Sequence, residues 1–91
     1  MENLKGVFVE KQITSNETFQ LGNTQDIYFK NLGSTEVKVG IYPLRPDQEK
    51  YIHTGNITLE SRGLEIFFVE GAGKTNNLYI SYIKMPECTC D

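Results

Sequence analysis

"NLGSTEVKVGIYP", residues 31–43, places a turn cluster ahead of a strict alternation in which Val37, Val39 and Ile41 interleave with Lys38, Gly40 and Tyr42. A period of two is the side-chain pitch of a β-strand, so this stretch presents one apolar and one polar face. Just before it, in "QDIYFKN" (25–31), Ile27 and Phe29 share one face while Tyr28 and Lys30 share the other. The two stretches together predict an antiparallel hairpin that reverses at Gly33-Ser34.

The same period recurs outward in both directions, and a helical period is almost absent. "KGVFVE" (5–10) predicts a first strand with Val7 and Val9 on one face, and "TFQL" (18–21) a short second one. In "PLRPDQEK" (43–50), Pro43 and Pro46 cannot donate to a ladder, so the segment reads as a connection across the sheet edge, with Pro46 placed to open one helical turn. "YIHT" and "NITLE" flank Gly55-Asn56, a pair suited to a tight reversal. "GLEIFFVE" (63–70) is the most apolar stretch and predicts a central strand with Leu64, Ile66 and Phe68 inward and Phe67 and Val69 open to cover on the other side. The loop "GAGKTNN" then leads into a last strand, "LYISYIKM" (78–85).

The expected fold is all-β: a single-domain antiparallel β-sandwich or jelly roll of seven to eight short strands over residues 1–86, with a flexible Cys-containing tail at 87–91. The expected core residues are Val7, Val9, Ile27, Phe29, Val37, Val39, Ile41, Leu64, Ile66, Phe68, Leu78 and Ile80.

Composition agrees with a globular domain. The apolar fraction is 38% and reaches about 47% once the eight glycines are added, within the usual range of about 45–50%. The net charge is −3, and the nine Lys and Arg residues are dispersed rather than gathered in a stripe, so a nucleic-acid partner is not expected. "MENLKGVFVEKQ" holds no apolar run of signal-peptide length, and no stretch is long and apolar enough to span a bilayer. The expectation is a chain made in the cytosol, without a membrane partner.

The candidate sites are sparse. "EGAGKT" (70–75) ends like a phosphate loop, but the first glycine of that motif would fall on Phe68 and no helix follows, so it reads as a hairpin loop. In "ECTCD", Cys88 and Cys90 supply two thiols, half of a tetrahedral metal site; the readings are an inert tail, a disulfide or reactive thiol, or a metal site completed by an oligomer. No cofactor and no metal site is expected for the single chain. His53 has no Ser or Cys partner at motif spacing and reads as a partly buried strand histidine rather than a base. Tyr28, Tyr42, Tyr51, Tyr79 and Tyr82 suit either core-edge and interface packing or a sugar-stacking face. Asn16-Glu17-Thr18 and Asn56-Ile57-Thr58 fit the glycosylation acceptor pattern but carry little meaning without a secretory signal.

"IYFKNLGSTEVKVGIYPL", a polar connection containing Gly55, and then "GLEIFFVEGAGKTNNLYISYI" resemble the small β-sandwich virion proteins of tailed bacteriophages: decoration, auxiliary capsid and head-fibre proteins. The similarity covers roughly residues 25–83 and lies in the N-x-G turn, the V-x-V strand after it and the closing strand pair. The chain departs from the pattern where "YIHTGNIT" replaces an L-x-P-G turn. The resemblance implies a non-enzymatic virion component that binds the major capsid protein or another virion protein, with no catalytic residues to assign. It also implies a homo-oligomer such as a trimer, with the first strand and the termini reaching a neighbour. Thin cores with many strand edges favour such self-association or docking. For partner contact the expected residues are Tyr79, Tyr82, Met85 and Tyr42.

Overall fold

Eight strands and no helix form over the described residues, which in this computed structural model are 6–55, 57, 59, 60, 62–69 and 71–86. They are β1 (Val7–Ile13), β2 (Glu17–Gln20), β3 (Thr24–Asn31), β4 (Val37–Val39), β5 (Tyr42–Leu44), β6 (Glu49–Ile52), β7 (Gly63–Phe68) and β8 (Leu78–Lys84). Sheet A has the order β1-β8-β3-β6 and sheet B the order β2-β7-β4-β5. Every pairing is antiparallel. The chain is thus an all-β fold of two antiparallel sheets, and β7 is a central strand as its apolar run predicts. The proposed tail, 87–91, with Cys88 and Cys90, lies outside the described residues.

The 31–43 stretch folds differently from its sequence reading. β3 does not pair with β4: β3 lies in sheet A between β8 and β6, and β4 in sheet B between β7 and β5. Residues 32–36 are therefore a crossing between the sheets rather than a hairpin turn. Of the connections between successive strands, only β4 to β5 stays within one sheet. Alternation fixes which side chains share a face, but it carries no information about which strand lies alongside.

Asn31 explains the crossing. It is fully buried, and its Nδ2 donates to the carbonyls of Thr35 and Leu44, at 2.7 and 2.9 Å, while Oδ1 accepts from the Gly33 N–H at 3.0 Å. Its own N–H donates to the Gln48 carbonyl and its carbonyl accepts from the Asp47 N–H. One carboxamide thus satisfies both sides of the link where β3 gives way to β4, as a buried amide must. The link is also laced to the 71–77 loop, because the N–H groups of Leu32 and Gly33 donate to the Asn77 carbonyl and those of Ser34 and Thr35 to the Thr75 carbonyl. A Cβ on Gly33 would run into the Thr75 carbonyl, so the close approach requires glycine there.

The true reversal sits at Gly40-Ile41, where Gly40 has φ +66° and β5 returns with Tyr42 opposite Val39. Glycine at the first position of a two-residue hairpin loop is the favoured chemistry for this geometry. Ile41, expected in the core, consequently stands at the turn tip and is 98% exposed. Pro43 lies inside β5, an edge strand, the one place in a sheet where a missing N–H costs little. Pro46 opens no helical turn. Pro46-Asp47 forms a reversal in which Gln48 N–H donates to the Arg45 carbonyl and Asp47 takes φ +69°. Of the strand expected at 56–60, Ile57, Leu59 and Glu60 are described and belong to no strand.

Both sheets contribute to the core: Ile13, Ile27, Phe29, Leu78 and Ile80 from sheet A, and Phe19, Val37, Val39, Leu44, Ile66 and Phe68 from sheet B. Phe19 packs edge-on against Phe29 and Tyr82, with ring centroids 6.1 and 5.1 Å away. Val7 is a second correction, 64% exposed at the start of β1, while Val9 and Leu64 are half-buried. Charged side chains close the flanks of the two layers. Lys11 on β1 meets Glu17 on β2 at 3.3 Å, and Lys50 on β6 lies 4.4 Å from the ring centre of Tyr42 on β5.

Candidate functional site

Outward-facing positions of sheet A follow from the core ones. In β3, Ile27 and Phe29 point in, so Tyr28 points out; in β8, Leu78 and Ile80 point in, so Tyr79 and Ser81 point out; in β6, Tyr51 pairs directly with Tyr28. Pairing across the sheet brings these residues together from three strands that are not neighbours in the chain. Tyr28 stands at the centre, with Tyr51 at 6.0 Å and Tyr79 at 6.1 Å between ring centres, both edge-to-face. That is the preferred arrangement of interacting aromatic rings. His53 extends the band by lying parallel on Tyr51, with ring centres 4.0 Å apart.

A carboxylate orients the hydroxyl of each of two rings. The Tyr28 hydroxyl donates to Glu49 Oε1 at 2.6 Å, and the Tyr79 hydroxyl donates to Glu10 Oε2 at 3.0 Å. The bond to Glu49 is the main reason that the Tyr28 phenol holds its proton above the ordinary range, helped by desolvation and by the Glu49 charge. For Tyr79, desolvation raises the phenol first and the bond to Glu10 second, with the Ser81 hydroxyl pulling the other way. Ser81, directly opposite Tyr28 and Glu10 in register, is buried although it faces outward. A small residue at that position leaves room for large rings on either side.

The His53 end is held by β3 itself. A register shift between Gln25 and Tyr28 marks a bulge, in which Asp26 adopts φ +49°. The Asp26 N–H donates to Thr54 Oγ1 at 3.1 Å and the Thr54 N–H donates back to Asp26 Oδ1 at 3.3 Å. His53, just before this clasp, is exposed and outside any strand, which corrects the partly buried strand histidine read from the sequence.

The four residues expected at a partner surface do not share one. Tyr79 belongs to the band. Tyr82 is in phase with Leu78 and Ile80 and packs inward on Phe19. Tyr42 lies on the far flank under Lys50, and Met85 is half-buried beyond β8, its N–H donating to the Asn23 carbonyl. Sequence reading groups Tyr28, Tyr51 and Tyr79 with Tyr42 and Tyr82 as one set of candidate interface or sugar-stacking residues, but it misses Glu10 and Glu49 and does not join His53 to them. The parity of Tyr28 and Tyr79 against their apolar neighbours is a usable signal, whereas the pairing of β6, β3 and β8 has no local sequence signature.

The opposite outer face, on sheet B, is chemically different. It carries Thr18, Glu65, Lys38 and Pro43, with Phe67 opposite Lys38 and a 3.4 Å bond from the Thr18 hydroxyl to Glu65 Oε1. The cover read from the sequence for Phe67 and Val69 is not found among the described residues, and both are exposed. The Gly71–Thr75 loop, read from the sequence as a hairpin loop, instead lies on the connection from β7 in sheet B to β8 in sheet A and is engaged in the crossing, where the Thr75 N–H donates to Ser34 Oγ. No group of three or more His, Cys, Asp or Glu among the described residues is arranged to hold a metal ion. No protein-family model, curated protein or solved structure matches this chain.

Proposed function

We propose that the protein is a non-enzymatic structural module of a bacteriophage virion that docks on the capsid surface, or anchors a fibre, through the outer face of sheet A. The observation that carries the reading is the outward-facing band of Tyr28, Tyr51, Tyr79 and His53 on a hydrogen-bonded sheet, with Tyr51 and His53 exposed and Tyr28 and Tyr79 half-buried. Tyrosine is enriched at interfaces and in their energetic centres, because it offers large area at a small entropy cost. The carboxylate bonds of Tyr28 and Tyr79 reduce that cost further by fixing the rings before a partner arrives. The kind of assembly, with the major capsid protein or another virion protein as partner, comes from the sequence resemblance alone, since in the fold the N-x-G turn is a crossing between sheets and the last two strands lie in different sheets. Many copies on one shell then add their strengths even when each contact is modest.

The test is add-back. Virions assembled without the protein are expected to bind the purified chain at fixed stoichiometry and to gain resistance to disruption, while Tyr28→Ala and Tyr51→Ala chains do not bind. Virions whose composition and stability are the same with and without the protein refute the proposal.

A carbohydrate-binding module is the second reading, favoured by the exposed Tyr51 and His53 rings, stacked on one another on the strand that also carries Glu49 and just beyond it. Glycan-array binding lost in Tyr51→Ala and Tyr79→Ala would promote it over the first. A silent array would retire it.

A further inference from the structure

The four edge strands are unequal. β2 and β6 have four residues each and β5 has three, one of them Pro43, whereas β1 has seven. Short strands, proline and inward-pointing charge are the usual ways of blunting a sheet edge. Within β1 the second half has such a guard in Lys11, which turns toward sheet B and meets Glu17. The first half has none. Val7 and Phe8 are 64% and 63% exposed there, and no charge interrupts Gly6–Val9.

We infer that this unguarded half-edge pairs with its counterpart in a second copy of the chain, antiparallel and about a two-fold axis normal to sheet A, with Phe8 opposite Phe8. The inference goes beyond the docking reading, since it uses the edge of the sheet and leaves the tyrosine band free.

The register follows from charge and face. A two-fold normal to the sheet pairs one residue with itself and keeps facing side chains on the same side of the joined sheet. Centring on Glu10 sets two carboxylates opposite each other, and centring on Lys11 sets two ammonium groups opposite, both unfavourable. Centring on Val9 sets Val7 against Lys11. Centring on Val7 leaves Phe8 facing Gly6 and forgoes the ring pair. Centring on Phe8 puts ring on ring and Val7 on Val9 and places Glu10 across from Gly6, so that no like charges are opposed within the described span Gly6–Glu10. The joined sheet has eight strands and presents two tyrosine bands on one side.

The experiment is a cysteine ladder in the full chain with Cys88→Ser and Cys90→Ser, so that tail thiols do not compete. Phe8→Cys, Val9→Cys, Glu10→Cys and Lys11→Cys are oxidised gently beside Ile41→Cys, an exposed control far from the edge. Directly opposed residues have Cα atoms about 4.5–5.5 Å apart, within disulfide reach. Because pairing raises the local thiol concentration to roughly millimolar, Phe8→Cys is expected to give covalent dimer about tenfold or more faster than Ile41→Cys. In sedimentation the natural chain is expected to have the mass of two chains, and Phe8→Lys the mass of one, with unchanged circular dichroism. A natural chain that sediments as one copy, fastest cross-linking at Val9, Glu10 or Lys11, or Phe8→Cys no faster than Ile41→Cys overturns the inference. Tyr28→Ala is expected to remain a dimer, so loss of docking and loss of pairing are read separately.

Discussion

Two polar constructions in this molecule use similar chemistry to opposite ends. At the β3-to-β4 crossing, the Asn31 carboxamide is buried and spends both donors and an acceptor on the chain's own backbone, on Thr35, Leu44 and Gly33. On the outer face of sheet A, Tyr28 and Tyr79 are held by Glu49 and Glu10, yet their rings stay at the surface. An internal polar network closed on itself serves the fold, whereas the one on the outer face holds aromatic rings at the surface, where the proposed docking would use them. The outer face of sheet B, with Lys38 and Glu65 among its residues, shows what an ordinary solvated face of the same fold looks like.

The contrast breaks most visibly at Asn31. Asn31→Ala takes the side-chain donor from two carbonyls, those of Thr35 and Leu44, and leaves the Gly33 N–H with the Asn77 carbonyl alone, and is expected to cost about 2–4 kcal/mol, seen as a lower urea midpoint at unchanged slope. Gly33→Ala pushes a Cβ into the Thr75 carbonyl and is expected to cost about 2–3 kcal/mol in the same assay. Neither change touches the band, so the folded fraction is expected to dock as the natural chain does.

Tyr28→Ala reverses that profile. It removes two cross-strand ring contacts, a loss of about 1 kcal/mol of stability, while docking is expected to disappear. Equal losses of stability and docking in both variants would erase the distinction between the two regions.

Much of the architecture was legible in the alternation. Ile27 with Phe29, Val37 with Val39, Ile66 with Phe68 and Leu78 with Ile80 all face the core, because each sheet buries one face and period two identifies it. Which strands adjoin was not legible. "NLGSTEV" contains the residues of a hairpin turn, and only the long-range bonds of Asn31 and the fit of Gly33 against Thr75 convert it into a crossing between sheets. Val7 and Ile41 were misplaced for the same reason: their phase is correct, but one lies at an open strand end and the other at a reversal. The candidate site fared likewise. All five tyrosines are candidates in the sequence, but only the β6-β3-β8 order separates Tyr28, Tyr51 and Tyr79 from Tyr42 and Tyr82 and brings His53 beside them.

Alkaline titration reports on the tyrosine band. The folded phenols of Tyr28 and Tyr79 sit above the ordinary value near 10, so the folded state binds protons that the unfolded state has already released. The stability they contribute is complete below pH about 10 and is lost as pH rises through the folded values. Absorbance near 295 nm is expected to show two late-ionising tyrosines in the folded chain, and Glu49→Gln is expected to bring Tyr28 back down. An unchanged titration in Glu49→Gln would remove the carboxylate from the account.

The smallest effect is expected on sheet B. Lys38→Thr, on its solvated face, is expected to change stability by no more than about 0.5 kcal/mol and to leave docking intact.

The central claim, that sheet A presents the docking face, is tested most directly by hydroxyl-radical footprinting of the chain free and added back to virions. Protection of Tyr28, Tyr51, His53 and Tyr79 on the particle, with Phe67 oxidised equally in both states, is the predicted result. Protection of Phe67 with continued oxidation of the three tyrosines would contradict it.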